Sequence, residues 1–358
     1  MDQLIDYGAD AHRFFEAASY PNLHLARVIS QYKDQYRIVT GDGACLAGIS
    51  GKLRHASADP SLLPAVGDFV MTDCADGRTA IIHAVLPRKS VFTRAAAGTD
   101  HRTQVVAANI DTVFVCMSLN SDYNLSRLER YLSVAWSSGA TPVIVLTKSD
   151  LCENLPTVTA EVASAAPDTD TIVTSAIDSA AIDRLLPYLR PGMTASLIGS
   201  SGVGKSTLIN RLAGEDLLQT SPVRQDDKGR HTTTRRELLV LPCGGIVIDT
   251  PGMRALGAET VDLSRSFPDM DELAGRCRFR DCTHTSEPGC AVLAALEAGT
   301  LDARRLESYR KLKREARYDG LSFKELEYEK QNAMFAQIGG MKNVRKYIRQ
   351  NDKRTRGR

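Results

Sequence analysis

The chain has 358 residues, of which 43% are hydrophobic and 25% are charged, and its formal net charge at pH 7 is +2. This length allows two or three domains, and the near-neutral charge excludes nucleic-acid binding through bulk charge, so such a partner would need local basic clusters. No apolar run approaches the roughly 20 residues of a membrane span, and the N-terminus lacks the pattern of a secretory signal. We therefore expect a cytoplasmic protein with no membrane partner.

The N-terminal part is predicted to be an arm followed by a β-barrel. Residues 1–21 are interpreted as a short amphipathic arm. Between residues 22 and 95, about five short strands separated by turn signals favour a small barrel of the OB-fold type, which often binds nucleic acid. Its basic residues are either phosphate contacts or solvated charges on a structural barrel: Lys52, Arg54, Arg78, Arg88 and Lys89.

Residues 104–190 alternate between apolar strands and amphipathic helices, which predicts a doubly wound α/β sheet. Residues 112–117 and 142–146 are predicted strands, and residues 125–139 are the helix between them. The sequence TKSD (residues 147–150) follows the second strand. Open α/β sheets bind ligands at this edge, so TKSD is a candidate site element, although alone it would be an ordinary surface turn.

The clearest motif of the chain is GSSGVGKST, which fits the phosphate-loop pattern G-x-x-x-x-G-K-[ST]. A predicted strand precedes it and a predicted helix follows it, so its backbone N–H groups would cradle a phosphate chain at a helix N-terminus. Lys205 would reach the β- and γ-phosphates, and Ser206 would bind Mg²⁺. An ordinary glycine-rich turn is the alternative, and the flanking elements count against it. The nucleotide-binding candidates here are Gly199, Ser200, Ser201, Gly202, Val203, Gly204, Lys205, Ser206 and Thr207.

A further nucleotide-site candidate follows the phosphate loop. The sequence DTPG begins at Asp249, at the end of a predicted strand. An acidic residue in that place suits the position that contacts Mg²⁺ through water in P-loop enzymes.

Three of the eight cysteines are clustered with a histidine in the spacing C-x4-C-x-H-x5-C. In a reducing compartment such clustering favours a metal over disulfides. Three thiolates and one imidazole would form a closed tetrahedral Zn²⁺ site with no open position for catalysis. Four unconnected polar residues of a loop are the alternative. The candidate ligands are Cys277, Cys282, His284 and Cys290.

The C-terminal region is predicted to be mostly helical and becomes strongly basic. Residues 302–317 and the tail at 336–358 are rich in Lys and Arg. Such segments favour salt-sensitive binding of RNA phosphates, and a solubilising disordered tail is the alternative.

These motifs occur in a rotated order. TKSD and Ser175-Ala176 precede the phosphate loop and DTPG follows it, whereas in ordinary GTPases the phosphate loop comes first. With a β-barrel before these motifs and the sequence CRFRDCTHTSEPGC after them, the chain resembles the RsgA/YjeQ family of circularly permuted, small-ribosomal-subunit-dependent GTPases. The match covers residues 22–315, approximately, in the same domain order.

The resemblance implies a multidomain protein, with an N-terminal all-β OB-fold barrel, a central α/β circularly permuted P-loop GTPase and a C-terminal, mostly α zinc-binding domain. The implied segments are the arm at 1–21, the barrel at 22–95, the GTPase domain at 104–260, the zinc-binding domain at 265–335 and the basic tail at 336–358.

The resemblance also implies cofactors, partners and an activity. The cofactors are one structural Zn²⁺ per chain and Mg²⁺ with GTP or GDP, and the partner of this monomeric chain is the 30S ribosomal subunit with its 16S rRNA. The implied activity is GTP hydrolysis, stimulated by the small subunit during its late assembly and coupled to release of assembly factors. A permuted GTPase acting on tRNA or another RNA, and an RNA-binding scaffold with a structural nucleotide site, stay open as alternatives.

Reading of the guanine base falls to two segments. Asp150 would accept hydrogen bonds from the guanine N1–H and 2-amino groups, and the stem of Lys148 would lie over the base. Thr147 stands where the usual NKxD motif has Asn, so one amide is lost at this corner. The base-site candidates are Thr147, Lys148, Ser149, Asp150, Ser175 and Ala176.

The residues implied for hydrolysis lie after the phosphate loop. Met253 follows Gly252 of DTPG, where Ras-type GTPases have a glutamine, so another group must orient the attacking water. His231, in GRHTTT, is the catalytic candidate, because an imidazole can accept a hydrogen bond from that water. Thr233 is the candidate for a second contact with Mg²⁺.

Overall fold

The structure is a computed structural model that describes residues 2–32, 35–56, 60–73, 79–95, 103–175, 178, 180–217, 237–249 and 263–317. Part of the predicted site and domain set lies outside these ranges, namely Ala176, His231, Thr233, Gly252 and the basic tail at 336–358.

The N-terminal part is a closed five-stranded barrel preceded by the helices α1 (Asp2–Asp6) and α2 (Ala11–Ala17). The barrel elements are β1 (His24–Gln31), β2 (Tyr36–Thr40), β3 (Gly43–Ile49), α3 (Gly51–Ala56), β4 (Phe69–Asp73) and β5 (Thr79–Val85). The strands pair in the order β1-β2-β3-β5-β4, and β4 pairs again with β1. Only the β3–β5 pair is parallel among these pairings. This is the OB-type barrel that the turn spacing predicts.

The sequence alternation of the strands explains how the barrel closes around a core. Along β5, Ala80 and Ile82 are buried, whereas Ile81 and His83 are exposed. Side chains alternate between the two faces of a strand, so one face of each strand fills the interior and the other meets solvent.

The central part is a doubly wound sheet that follows a hairpin. The hairpin consists of β6 (Val91–Ala95) and β7 (Thr103–Ala108). The sheet strands are β8 (Thr112–Ser118), β9 (Thr141–Thr147), β10 (Thr171–Val173), β11 (Thr194–Ile198), β12 (Glu237–Val240) and β13 (Ile246–Asp249). They lie in the order β10-β9-β8-β11-β13-β12, with β12 antiparallel and the others parallel. The helices are α4 (Leu125–Ser137), α5 (Leu155–Ala165), α6 (Ala180–Asp183) and α7 (Lys205–Ala213).

Helices cover both faces of this sheet, which explains why its strands are continuous apolar runs. Every residue of β8 is buried. Val113 and Val115 belong to the core cluster that contains Leu128 of α4, whereas the alternate residue Phe114 clusters with Leu208 of α7. A strand buried on both faces needs an apolar side chain at each position.

The C-terminal part is a small helical lobe. Its helices are α8 (Leu263–Ser266), α9 (Pro268–Gly275), α10 (Ala291–Glu297) and α11 (Ala303–Arg317). Phe267, Met270, Leu306 and Tyr309 lie at its core, and the two aromatic rings meet edge to face at 5.6 Å. Across the part of the chain that the structure describes, no helix combines the length and the apolar character needed to cross a membrane.

A buried arginine joins the barrel to the central sheet, at the point where β1 also pairs with β12. Arg27 of β1 is 1% exposed. Its guanidinium donates hydrogen bonds to the carbonyl oxygens of Gly67 and Tyr7 and, at 2.9 Å, to the hydroxyl of Thr194 on β11. Burial lowers the pKa of Arg27 to about 10, which still leaves it charged at neutral pH. The arm, the barrel and the sheet therefore share one buried cation.

A buried carboxylate joins helix α4 of the central part to the C-terminal lobe. The side chain of Glu129 on α4 is 1% exposed and forms ion pairs with Arg304 and Arg305 of α11, each at 3.0 Å. Arg305 also donates two hydrogen bonds to Asp269, at 2.6 and 2.7 Å. Arg265 of the lobe lies over the ring of Trp136 on α4 at 5.3 Å.

We expect Glu129→Gln to lower the free energy of unfolding of the docked lobe by about 3 kcal/mol, because it removes a buried carboxylate shared by two arginines and leaves the buried Arg305 with Asp269 as its remaining carboxylate partner. Trp136 is the only tryptophan of the chain, so its fluorescence in urea reports separation of the lobe from α4. The matched control is Glu315→Gln, whose carboxylate pairs with Arg130 of α4 at 3.2 Å but is 30% exposed. This control should cost less than about 1 kcal/mol. Equal urea midpoints for the two variants would contradict the prediction.

Candidate functional site

The phosphate-loop sequence forms the turn between β11 and α7, at the carboxyl edge of the sheet. Gly199 leaves β11 with a φ of 150°, and a Cβ atom there would lie 2.5 Å from the carbonyl oxygen of Cys116. A side chain at this position would push the loop off the sheet, so the glycine is required by close approach. Gly204, with a φ of 104°, is the N-cap of α7. The residues between the two glycines are Ser200, Ser201, Gly202 and Val203, of which Ser200 and Val203 are buried.

The first turn of α7 contains the residues that the sequence predicts for phosphate and Mg²⁺. The Nζ atom of Lys205 donates hydrogen bonds to the carbonyl oxygens of Gly199, at 2.9 Å, and Ser200, at 2.7 Å. The ammonium group therefore lies over the phosphate loop itself. Ser206 and Thr207 follow in the same turn. The N–H groups and positive dipole end of a helix favour an anion at this place.

The predicted base-reading residues lie at the carboxyl ends of β9 and β10. Thr147 ends β9, Lys148 has a left-handed backbone with a φ of 57°, and Ser149 and Asp150 begin a short 3-10 turn. The hydroxyl of Ser175 donates a hydrogen bond to Oδ1 of Asp150 at 2.5 Å. The structure thus brings the two predicted base-reading segments into contact.

A buried hydrogen bond connects the predicted base-reading segment to the phosphate loop. Thr147 is 4% exposed, and its hydroxyl donates to the carbonyl oxygen of Val203 at 2.6 Å. The sequence predicts the loss of an amide at this corner, where the usual motif has Asn. The threonine hydroxyl nevertheless ties the two loops together, so the substitution does not leave the corner without a polar contact.

Asp122 is a contact of the phosphate loop that the sequence analysis missed. Its Oδ2 atom accepts a hydrogen bond from the hydroxyl of Ser200 at 2.7 Å, and its Oδ1 atom accepts one from Arg127 of α4 at 2.9 Å. Burial alone would raise the pKa of Asp122, but the hydrogen bonds from Ser200 and Arg127 lower it below its usual value. The available signal was its place after β8, at the same sheet edge that identified TKSD.

Asp249 is the last residue of β13, which is the parallel neighbour of β11. The carboxyl ends of adjacent parallel strands meet at one edge, so Asp249 lies on the same side of the sheet as the phosphate loop. Ser206 and Asp249 are hydroxyl and carboxylate oxygen donors, the chemistry that Mg²⁺ prefers. The donor set at this edge therefore fits that ion.

The four predicted metal ligands converge in the C-terminal lobe. Their ligand atoms all lie within 4.8 Å of one another, and Cys282, His284 and Cys290 are buried. The Nδ1 atom of His284 is 3.6 Å from the sulfur of Cys277 and 3.5 Å from that of Cys290, and these two sulfurs are 3.8 Å apart. The edges of a tetrahedron with Zn–S of about 2.3 Å and Zn–N of about 2.0 Å have nearly these lengths. The cluster could therefore hold a metal ion, and its donors fit Zn²⁺.

The basic residues of the barrel divide into two groups. Arg88 pairs with the fully buried carboxylate of Asp68 at 2.7 Å, and Lys89 pairs with Asp111 at 2.5 Å. Arg88 therefore stabilises the barrel, and the phosphate-contact interpretation is wrong for it, because its guanidinium is used inside the protein. Of the remaining candidates, Lys52 and Arg54 are exposed on α3, and Arg78 lies outside the described residues.

The basic helix predicted at 302–317 is α11. Its inner face packs Leu306, Tyr309 and Leu312 into the lobe, and its outer face exposes Lys311, Lys313 and Arg314. A helix with this division presents cations to solvent without weakening its own packing.

Comparison with known proteins agrees with this geometry. The model of the family described as RsgA GTPase matches residues 85–259. The Small ribosomal subunit biogenesis GTPase RsgA 2 of Lactiplantibacillus plantarum is 50% identical over 343 residues, which cover 96% of this chain and 97% of that one. The Small ribosomal subunit biogenesis GTPase RsgA of Opitutus terrae is 46% identical over 322 residues, covering 85% of this chain and 88% of that one.

The chain belongs to the RsgA GTPase family. It is therefore a GTP-hydrolysing enzyme of ribosome biogenesis. The crystal structure of YjeQ from Thermotoga maritima has a TM-score of 0.62 and 27% identity, covering 82% of this chain and 98% of that chain. The structure of YloQ, a circularly permuted GTPase, has a TM-score of 0.59 at 23% identity, covering 83% of this chain and 96% of that chain, and it supports the fold. The predicted fold class, with a barrel, a permuted GTPase and a C-terminal cluster that could bind zinc, is confirmed.

We expect Thr147→Val to weaken GTP binding about 5- to 10-fold, because it removes one buried hydrogen bond without changing the side-chain shape and leaves the Val203 carbonyl unpaired. Thr147→Asn, which supplies an amide donor, should restore binding. The matched control is Thr174→Val, which removes the 3.3 Å hydrogen bond from the Thr174 hydroxyl to the Leu146 carbonyl and should change GTP binding less than about 2-fold. Titration with a fluorescent GTP analogue measures all four proteins, and a Thr147→Val protein that binds as tightly as the parent would refute the role.

We expect the purified chain to contain about one Zn²⁺, and Cys290→Ser to lose it, since a closed four-ligand site needs each donor. Metal analysis should find no ion, and Trp136 fluorescence should change. GTP affinity should stay within about 2-fold of the parent value, because the four metal-binding residues belong to the C-terminal lobe and not to the sheet edge that carries the phosphate loop. Cys243→Ser is the control, because that half-buried cysteine lies outside the cluster. Full zinc content in Cys290→Ser would show that the assignment is wrong.

Proposed function

We propose that this chain binds the 30S ribosomal subunit in its GTP-bound state during late assembly, hydrolyses GTP there and leaves, with departure coupled to release of other assembly factors. The observation that supports this most directly is that buried polar contacts connect the barrel, the sheet and the C-terminal lobe. Arg27 joins the barrel to the GTPase sheet, and Glu129 joins the sheet to the C-terminal lobe. A GTP site built between two modules suited to nucleic acid can change their hold on a large RNA-protein particle.

In this proposal the base is selected by Asp150, which is positioned by Ser175. A carboxylate accepts hydrogen bonds from the N1–H and 2-amino groups of guanine, which adenine cannot supply. With the wrong base that carboxylate would be left unpaired, which is costly in a partly desolvated site. Lys148 covers the base plane, and Ser149 and Ala176 complete the pocket.

The phosphates are held by the loop from Gly199 to Thr207, with Lys205 on the β- and γ-phosphates. Ser206 binds Mg²⁺ directly, Asp249 binds it through water, and Thr233 adds a contact in the GTP state. When bound, the ion neutralises charge on the β- and γ-phosphates. The residues of the chain then serve to position the γ-phosphate for in-line attack by water.

Hydrolysis is assigned to His231, since no glutamine follows Gly252. An imidazole can orient the attacking water only when its loop closes over the nucleotide. Closure of this loop on the 30S subunit would make GTP hydrolysis slow in the free enzyme and faster in the complex with the subunit. The 16S rRNA contacts are assigned to the barrel, the zinc-binding lobe and the basic tail at 336–358.

The domain division predicted from the sequence is part of the proposal. The closed barrel ends at Val85 within the predicted 22–95 segment, and the lobe helices lie between Leu263 and Arg317 within or close to the predicted 265–335 segment. We propose that the protein acts as a monomer.

The deciding experiment measures the GTPase rate of the full chain alone and with purified 30S subunits, 50S subunits or tRNA. Stimulation by 30S subunits alone supports the proposal. Stimulation by tRNA would favour a GTPase that acts on that RNA, and no stimulation by any of them would favour a scaffold with a structural nucleotide site. ATP in place of GTP should give no stimulated rate.

We expect His231→Ala to lower the 30S-stimulated rate by about 100-fold or more, the usual contribution of a positioned general base, and to leave GTP affinity within about 2-fold. The control is His12→Ala, since the His12 side chain is 72% exposed on α2. Multiple-turnover kinetics and nucleotide titration on the same preparations separate catalysis from binding. A His231→Ala protein with full stimulated activity would remove His231 from the mechanism.

A further inference from the structure

The loop between the first two candidate metal ligands presents an aromatic ring to solvent. Phe279 is 42% exposed, and the guanidinium of Arg278 lies over its ring at 5.6 Å. Arg280, on the other side of Phe279 in the sequence, is also exposed. We call Arg278, Phe279 and Arg280 the base platform. Among the described residues, these three side chains belong neither to the predicted nucleotide site nor to the apolar core of the lobe.

The backbone of the base platform is fixed in place. The N–H of Arg278 donates to the carbonyl oxygen of Gly289 at 3.1 Å, and the N–H of Cys282 donates to that of Phe279 at 3.3 Å. The aliphatic part of the Arg278 side chain packs closely on Gly289, because a Cβ atom added to Gly289 would lie 3.1 Å from the Cβ atom of Arg278. The ring is therefore exposed on a rigid loop, and a partner would pay little conformational entropy to use it.

The charge around the platform is positive. Residues 276–282 contain three arginines and one acidic residue, Asp281. Arg276 pairs with Glu272 of α9. Arg278 and Arg280 have no carboxylate partner among the residues that the structure describes. Their charges are thus available to an anionic partner.

Helix α11 adds two cations beside the candidate metal cluster. The guanidinium of Arg310 donates a hydrogen bond to the carbonyl oxygen of His284. The ammonium of Lys313 lies over the ring of Tyr309 at 5.3 Å, and Tyr309 in turn lies beside His284, with the two ring centroids 6.3 Å apart. The His284 side of the lobe is therefore suited to a phosphate backbone.

We propose that Phe279 stacks on an unpaired base of the small-subunit rRNA, with Arg278 and Arg280 bound to the flanking phosphates. This deepens the proposed function, on which it rests. Single-stranded RNA exposes base faces to aromatic and guanidinium planes, whereas the bases of an A-form duplex are hidden in the stack. A stable protein–protein interface buries about 800 Å² of surface on each partner, and one exposed ring between two cations supplies little of the apolar core that such an interface has.

The first test measures binding of the full chain to 30S subunits with a non-hydrolysable GTP analogue. Loss of one base–aromatic stack weakens binding by about 5- to 150-fold, so Phe279→Leu should do so, whereas Phe279→Trp should stay within about 3-fold. Phe15→Leu is the matched control, because Phe15 is 78% exposed on α2 of the arm, and it should bind as the parent does. Zinc content and Trp136 fluorescence must match the parent in each variant. Parental binding by Phe279→Leu would overturn the proposal, as would an equal loss in Phe15→Leu.

The second test uses the salt dependence of the same binding. Arg278→Gln and Arg280→Gln should each lower the slope of log affinity against log salt by about one, since each removes a phosphate contact. Arg276→Gln, whose guanidinium is already paired with Glu272, should lower it less. Equal slopes in all four proteins would overturn the assignment of the two arginines to phosphate.

The third test does not depend on the ribosome. A 12-nucleotide oligoadenylate with one 2-aminopurine should show fluorescence quenching by the parent and by Phe279→Trp at low salt, and not by Phe279→Leu. The same oligonucleotide annealed into a duplex should not be quenched. If the parent fails to bind 30S subunits yet quenches the single strand through Phe279, the proposed function falls and the base platform stands. If the parent binds 30S subunits and Phe279→Leu matches it in both assays, the platform falls and the proposed function stands.

Discussion

The buried contact between Glu129 and two arginines of α11 holds the C-terminal lobe on the GTPase domain. A carboxylate that is 1% exposed cannot exchange its partners for water, so the lobe and α4 stay together or separate at a high cost. The N-terminal turn of α4, which lies beside Glu129, also approaches the predicted nucleotide edge, where Arg127 of α4 and Ser200 of the phosphate loop both donate to Asp122. Helix α4 therefore contacts the lobe directly and the phosphate loop through Asp122, and it offers a short physical connection between the predicted nucleotide edge and the lobe.

Parallel strand order explains why the permuted chain still builds one nucleotide edge. The carboxyl ends of β8, β9, β10, β11 and β13 lie on the same side of the sheet, so the segments that leave these strands meet one another there. Asp122, Thr147, Ser175, Gly199 and Asp249 come from five such segments. Their convergence depends on sheet direction and not on chain order. Permutation instead alters which part of the chain is attached to the last strand, and in this protein the lobe comes after β13.

The sequence was sufficient where a site depends on short spacing or on a sheet edge. The phosphate loop and the four cysteine and histidine ligands are local patterns, and TKSD was found from its place after a strand. Long-range polar contacts were not predictable, because an arginine or a carboxylate is normally exposed and the sequence does not reveal its burial. Asp122, Arg27 and Glu129 are of this kind, and Arg88 was misread for the same reason. At Thr147 the sequence motif indicates the loss of a polar contact, because Thr stands where Asn is usual, whereas in the structure the Thr147 hydroxyl donates to the Val203 carbonyl oxygen.

The small size of the lobe connects its candidate metal cluster to its exposed surface. Cys282 and Cys290 lie in the same core cluster as Phe267 and Met270, so a metal ion held there would stabilise the same small unit as the apolar packing. Small units with few apolar residues depend on such additional bonds, because burial alone offsets little more than the entropy of ordering the chain. Ligation at Cys277 and Cys282 would then fix the intervening loop without help from its aromatic residue. Phe279 can remain outside the core for this reason, and its ring is free to meet a partner instead of stabilising the lobe.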